Sequence, residues 1–209
     1  MMLRILGRPT SLNVRKVLVT LDEIGAPYAH EPQWATPAAP SQSAEFRKLN
    51  PNGLIPVIED ENGLMWESNA ICRYLAAKHA RADLFPLDFA VRARIDMWMD
   101  WQAAELNDTW RYAFMALAKS HPRYTDPEKI AESVARWNAA LAILDARLAA
   151  TRAYVAGDAY TLADIVLGVS AHRWRATPLE HADLPAVRGW LAMLDARPAF
   201  AKYATAEYP

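Results

Sequence analysis

The sequence predicts two domains of different class, an α/β domain over residues 1–80 and an all-helical domain over residues 88–209. Three observations predict this. Short strand-like apolar runs alternate with helix-period stretches up to residue 79. Residues 81–87, within the irregular stretch Ala-Arg-Ala-Asp-Leu-Phe-Pro-Leu that begins at Ala80, break the pattern as a linker would. Beyond them the apolar spacing is that of helices throughout.

Leu3–Leu6 reads as a short buried strand, ended by Gly7-Arg8-Pro9. Val14, Val17, Leu18 and Leu21 recur at steps of three and four, so residues 11–24 read as a helix that Gly25 stops. Residues 28–33 form a second strand candidate, and Pro32, Pro37 and Pro40 mark a loop after it. Residues 44–49 read as a short helix. Residues 56–59 and 64–66 flank Asp60-Glu61-Asn62-Gly63, so they read as a hairpin. Ser68 to His79 reads as a helix. The order βαβ, α, ββ, α is a thioredoxin-like arrangement.

In the second domain Val91, Ile95, Met99, Ala103, Leu106, Trp110, Ala113 and Leu117 follow one face of a long helix. Asp126-Pro127 is an N-cap with Pro at the first helical position. From there Ile130, Val134, Trp137, Leu141, Leu144 and Leu148 continue the helical step. Thr161-Leu162-Ala163-Asp164 resembles a capping box, with Asp where Glu is more usual. A last helix is expected near residues 186–196, before Pro198.

Composition narrows the function. Formal net charge is −1, so no basic surplus points to nucleic acid or an anionic membrane. No stretch approaches the length of an apolar membrane span, and the N-terminus is too weakly apolar for a signal peptide. Cys72 is the single cysteine and has no Cys or His partner at metal-ligand spacing, so a reducing, cytoplasmic setting without a metal site is expected.

The chemistry concentrates in residues 50–75. Asn-Pro-Asn-Gly-Leu-Ile-Pro-Val-Ile opens a strand with Pro56, whose nitrogen cannot join a ladder. An Ile55 backbone turned outward can pair with a peptide as an added strand does. About ten residues on, Glu67-Ser68 opens a helix whose N–H groups attract a carboxylate. Backbone pairing at one end and an anion site at the other describe a receptor for a small peptide.

These two segments, in this order and spacing, closely resemble the glutathione-binding half of the cytosolic glutathione transferases. Arg-Ala-Arg-Ile-Asp-Met-Trp-Met-Asp-Trp-Gln (92–102) resembles the start of the fourth helix in theta-like members, and Thr161–Ile165 resembles the family's folding motif. The resemblance covers nearly the whole chain and implies a serine-type enzyme, theta-like or of a related bacterial class.

It also implies roles. Ser11 is the hydroxyl expected at the thiolate of glutathione, with Asn13 as the second candidate and Thr10 as the runner-up for the hydroxyl. Ser11 read alone is a plain helix cap. Thr10, Leu54, Ile55, Pro56, Glu67 and Ser68 are the expected glutathione contacts. Ile55 would pair with the cysteinyl backbone, Glu67 would hold the γ-glutamyl amine, and Ser68 its carboxylate. Leu54 departs from the pattern, because many theta-like members carry Lys there for the glycine carboxylate; Gln42, Arg47, Lys48 and Asn50 are the substitutes to weigh. Asn107, Trp110, Arg111 and Trp174 are the expected electrophile contacts, with Arg111 and Arg175 suited to an anionic one. The partners implied are glutathione, an electrophilic small molecule and a second copy of the chain, with Met97, Trp101 and Met115 as contact residues. Two further readings remain at this point: a glutathione-dependent disulfide or peroxide reductase, motivated by Ser11-x-Asn13, and a transferase-like binding protein without turnover, motivated by Leu54.

Overall fold

The computed structural model describes residues 1–203 and divides the chain into two compact units, Met1–Phe85 and the segment from Pro86 onward. The first unit runs β1 (Leu3–Leu6), α1 (Leu12–Ile24), β2 (Tyr28–Glu31), α2 (Ala44–Arg47), β3 (Val57–Asp60), β4 (Gly63–Trp66) and α3 (Ser68–Lys78). The sheet order is β2-β1-β3-β4. β1 pairs parallel to β2, and β3 pairs antiparallel to both β1 and β4. This is the thioredoxin-like arrangement.

The register follows from burial. Ile5 and Leu6 of β1 face Ile58 and Val57 of β3, and all four are within 1% of full burial. On α1, Val14, Val17, Leu18 and Leu21 are wholly buried, as their spacing requires, each contributing about 1.5–3 kcal/mol of burial. α1 packs against α3. The same interface takes in Lys16, 1% exposed, whose Nζ donates to Asn69 Oδ1 at 3.2 Å. Gly25 closes α1 at φ 75°, its N–H donating to the carbonyls of Leu21 and Asp22. The hairpin turns through Glu61 and Asn62, with Asp60 opposite Gly63. Lys78 Nζ donates to Asp60 Oδ2 at 2.8 Å, tying the end of α3 to that turn. Burial pushes the Asp60 carboxyl up, but hydrogen bonds from Lys78, Tyr74 and the Asn62 N–H outweigh it and hold the group below its ordinary value.

The second unit is helical: α4 (Phe89–Trp101), a segment from Gln102 to Ala118, α5 (Pro127–Thr151), α6 (Leu162–Ala176), α7 (Pro185–Asp195) and α8 (Pro198–Tyr203). The expected long helix is interrupted. Two π-helical turns, Gln102–Leu106 and Phe114–Ala118, flank the three-residue pieces Asn107–Thr109 and Arg111–Ala113. A π turn holds an extra residue, so the apolar face slips. Ala103, expected inside, is exposed, and Gln102 is fully buried in its place. The Gln102 amide donates to Asn107 Oδ1 at 2.9 Å. Ser133 of α5 repairs the break further on, accepting the Ala113 N–H at 3.1 Å and donating to the Thr109 carbonyl at 2.6 Å.

α6 is buried over nearly its whole length. At its start Asp164 is 0% exposed, and its carboxylate accepts from the N–H groups of Thr161 and Val155, from the Thr161 hydroxyl and from Trp190 Nε1. Burial pushes this carboxyl up to about 6 against those four hydrogen bonds.

Candidate active site

The loop Gly7–Ser11 carries the chain from β1 into α1. Gly7 has φ 140°, and a Cβ there would meet Val14 Cγ2 at 2.7 Å and Ile55 Cβ at 2.9 Å. The missing side chain therefore lets the loop, the first turn of α1 and Ile55 close on one another. His30 Nε2 lies 2.8 Å from the Gly7 carbonyl, and Arg15 Nε donates to the Pro9 carbonyl at 2.8 Å. The loop is thus tied down on both sides.

Ser11 occupies the N-cap position of α1, with β-region dihedrals of φ −73° and ψ 127°. Its side chain makes no cap hydrogen bond, and no acidic side chain sits in the first turn. The hydroxyl is half-buried and makes no hydrogen bond among the described residues, beside helix N–H groups that lack intrahelical acceptors. Such an end favours an anion. Thr10 is half-buried just before it. Asn13 is the second residue of α1, with Oδ1 buried and without a hydrogen-bond partner among the described residues.

The Ile55–Pro56 peptide is cis, and Pro56 is buried. Ile55 precedes β3, and its N–H and C=O make no backbone hydrogen bond among the described residues. Its side chain packs with Trp34 and Leu49 against Leu6, Phe46 and Val57. The turn before it is built by side chains. Asn50, 2% exposed, donates from Nδ2 to the Leu54 carbonyl at 2.7 Å and accepts the Asn52 N–H at 3.0 Å. Gln42 Nε2 donates to the Gly53 carbonyl at 2.8 Å. Leu54 itself is 58% exposed.

Glu67 leads into α3 at φ 73° and ψ 104°, a region costing a non-glycine residue about 1–3 kcal/mol. Its side chain is exposed, makes no cap bond and has no ion pair among the described residues. Ser68 follows as the first helical residue, buried, with no hydrogen bond to its hydroxyl among the described residues. Three polar features of one unit thus stand open: the Ser11 hydroxyl, the Ile55 backbone and the Glu67-Ser68 helix start.

The helical unit brings together two of its four candidates. Asn107 Oδ1 accepts from Trp110 Nε1 at 3.1 Å, and Trp110 meets Phe114 edge-to-face and lies tilted beside Trp137. The Arg173 guanidinium sits 4.6 Å from the Trp110 ring centre and 4.4 Å from that of Phe114. Arg111 lines a groove of about 290 Å³ with Tyr112 and Tyr124 and makes no hydrogen bond or ion pair among the described residues. Trp174 stands apart on α6, buried, donating from Nε1 to Asn138 Oδ1 at 2.8 Å and set edge-on to His181. Arg175 is held by Asp195 through two bonds of 2.7 and 3.0 Å.

Comparison with known proteins decides the family. The description "Glutathione S-transferase, N-terminal domain" matches residues 10–78, and "Glutathione S-transferase, C-terminal domain" matches residues 127–192. Glutathione S-transferase GstB of Escherichia coli K12 is 34% identical over 203 residues, covering 96% of this chain and 97% of that protein. This chain belongs to the glutathione S-transferase family. Glutathione S-transferase 3 of Zea mays is 32% identical over 96% of this chain and 92% of that protein. The crystal structure of a theta-class glutathione S-transferase from Xanthomonas axonopodis pv. citri, with glutathione bound, superposes with a TM-score of 0.92 at 35% identity, over 99% of each chain.

Within this transferase, sequence reasoning passed over Gly7 as a packing residue and the Gln42–Gly53 pair as a built turn. The Gly-Arg-Pro and Asn-Gly motifs signal turns, but the side chains they admit come from distant positions. Cys72 lies in the core, 0% exposed, receiving the Thr20 hydroxyl at 3.3 Å. Burial pushes its thiol up to about 11, so it packs and does not react.

Proposed function

We propose that this transferase binds glutathione in its first unit, stabilises the thiolate at Ser11, and directs it at an electrophilic carbon of a small molecule. The observation that carries the reading is the Ser11 hydroxyl, which stands at the head of α1 and makes no cap bond. A thiol is a weak nucleophile and its thiolate a strong one. A hydroxyl donor and the unpaired N–H groups of the first turn both lower the free energy of the thiolate. Ser11 donates a hydrogen bond and forms no covalent intermediate. Asn13 and Thr10 flank the sulfur.

The tripeptide is held by three contacts. Its cysteinyl backbone pairs with the open N–H and C=O of Ile55, beside Pro56. Its γ-glutamyl carboxylate takes the Ser68 hydroxyl and the start of α3, and its amine takes Glu67. The strain at Glu67 supports this assignment, since backbone strain persists where a site over-determines the geometry. The nucleophile is the sulfur of glutathione, because Cys72 is buried.

Electrophile contacts are assigned to Asn107, Trp110 and Arg111; Trp174, held by Asn138 and His181, is left out of the assignment. Arg111 suits an anionic co-substrate better than Arg175, which Asp195 already neutralises. The transferase acts in the cytoplasm as a homodimer, with the exposed Met97 and the half-buried Trp101 and Met115 at the contact.

Calorimetric titration with glutathione, followed by assays on an alkyl or aryl halide and on 2-hydroxyethyl disulfide, tests the reading. Sub-millimolar binding with thioether formation is expected. Turnover confined to the disulfide would replace conjugation by reduction, and absence of binding would overturn the reading.

A further inference from the structure

Glutathione carries two carboxylates, and the reading above provides for one of them. The γ-glutamyl carboxylate lies at Ser68, while the exposed Leu54, next to Ile55, offers the glycine carboxylate no polar side-chain atom. We propose, resting on that reading, that Arg47 receives the glycine carboxylate.

A tripeptide with its cysteine at Ile55 and its γ-glutamyl end at Glu67-Ser68 sends its glycine the other way, past Leu54 and along the turn Asn50–Gly53. Arg47 is mounted on that turn. Its Nη2 donates to Gln42 Oε1, its Nε to the Gln42 carbonyl at 3.4 Å, and its Nη1 to the Pro51 carbonyl at 3.4 Å. All three acceptors are neutral, and no carboxylate pairs with Arg47 among the described residues. The guanidinium is therefore fixed in place with its charge uncompensated, and it has donors left for a carboxylate.

The mounting depends on Gly53. Gly53 has φ 64°, and a Cβ there would lie 2.7 Å from Gln42 Nε2 and 2.9 Å from Gln42 Oε1. Only glycine lets the Gln42 amide lie flat on the turn, where one end holds the Gly53 carbonyl and the other holds Arg47. Asn50, the other polar candidate, is buried and spent on Leu54 and Asn52. Lys48 is exposed, and its ammonium has no partner to fix it among the described residues. A fixed guanidinium loses less freedom on binding than a free lysine.

Calorimetry with glutathione and with its glycine amide tests the assignment on wild type, Arg47→Met, Arg47→Lys and Lys48→Met. Wild type is expected to bind the acid about tenfold more tightly than the amide. Arg47→Met brings that ratio close to one by weakening the acid alone, Arg47→Lys restores part of it, and Lys48→Met leaves it unchanged. Unchanged amide binding certifies that a variant is folded; should Arg47→Met lose the amide as well, the ratio in Arg47→Lys against Lys48→Met decides. An acid-to-amide ratio that survives Arg47→Met, that falls instead in Lys48→Met, or that is already one in wild type overturns the assignment. Failure of wild type to bind either ligand overturns the glutathione reading itself, which is a different result.

Discussion

Replacing Asp164 by Ala removes the acceptor of three fixed N–H donors, those of Val155, Thr161 and Trp190, at distances of 2.9, 2.9 and 3.0 Å. The Thr161 hydroxyl rotates to another acceptor, but the N–H groups cannot. Each orphaned buried donor costs about 1–3 kcal/mol, so the gross loss is roughly 3–9 kcal/mol. Against this, the substitution removes a carboxylate whose desolvation pushes it from the ordinary range to about 6. That shift corresponds to about 3 kcal/mol of destabilisation at neutral pH, which the variant recovers. The net expectation is a loss of roughly 0–6 kcal/mol, centred near 3. The pH dependence has a definite sign. The unfolded chain releases the Asp164 proton near its ordinary value and the native state keeps it to about 6, so this group's contribution to stability falls as pH rises through that window. Urea unfolding of wild type, Asp164→Ala and Asp164→Asn from acid to neutral pH reads both effects. The advantage of wild type over Asp164→Asn, which has no such proton, should shrink by about 3 kcal/mol between roughly pH 4 and 7. An Asp164→Ala variant more stable than wild type, or a flat difference curve against Asp164→Asn, would refute the reasoning.

Glu67→Gly relieves the strain at φ 73°, so thermal denaturation should show equal or higher stability while calorimetry shows glutathione affinity falling about tenfold. Lower stability would mean that the backbone there is unstrained. Ser133→Ala leaves the Ala113 N–H unpaired between the two π turns and should cost about 1–3 kcal/mol in urea unfolding; a neutral change would show that the segment repairs itself. Gly53→Ala puts a Cβ into the Gln42 amide at 2.7–2.9 Å, so glutathione affinity should fall together with stability, whereas an unaffected affinity would separate the turn from the site.

The fold was legible wherever one period ran unbroken. Val14, Val17, Leu18 and Leu21 marked the buried face of α1, and Asn62-Gly63 marked the hairpin. The long helix after Phe89 was not legible beyond Trp101, because a π turn inserts a residue without any breaker in the sequence. The short α8 after Pro198 was missed for a related reason, since Pro reads as a stop and here also opens a helix. At the candidate site, the sequence showed the local positions of Ser11 at the head of α1, Ile55 before Pro56, and Glu67-Ser68 at the start of α3. What stayed hidden was side-chain architecture. Gln42 supports Gly53 across eleven residues of sequence, and Trp174 is tied to Asn138 across thirty-six. Such pairs have no local periodicity, and tertiary packing alone selects them.

The central claim is that Ser11 stabilises a thiolate and does not merely cap α1. The most direct measurement is the ultraviolet difference spectrum of bound glutathione against pH, on wild type and Ser11→Ala, with urea unfolding of both. The account predicts a bound thiol ionising well below its free value, an ionisation shifted up by about 1–2 pH units in Ser11→Ala as a charge-assisted hydrogen bond is lost, and a stability change within about 0.5 kcal/mol, since no cap bond is broken. An unshifted ionisation together with a loss of about 1 kcal/mol or more in stability would make Ser11 a helix cap and contradict the account.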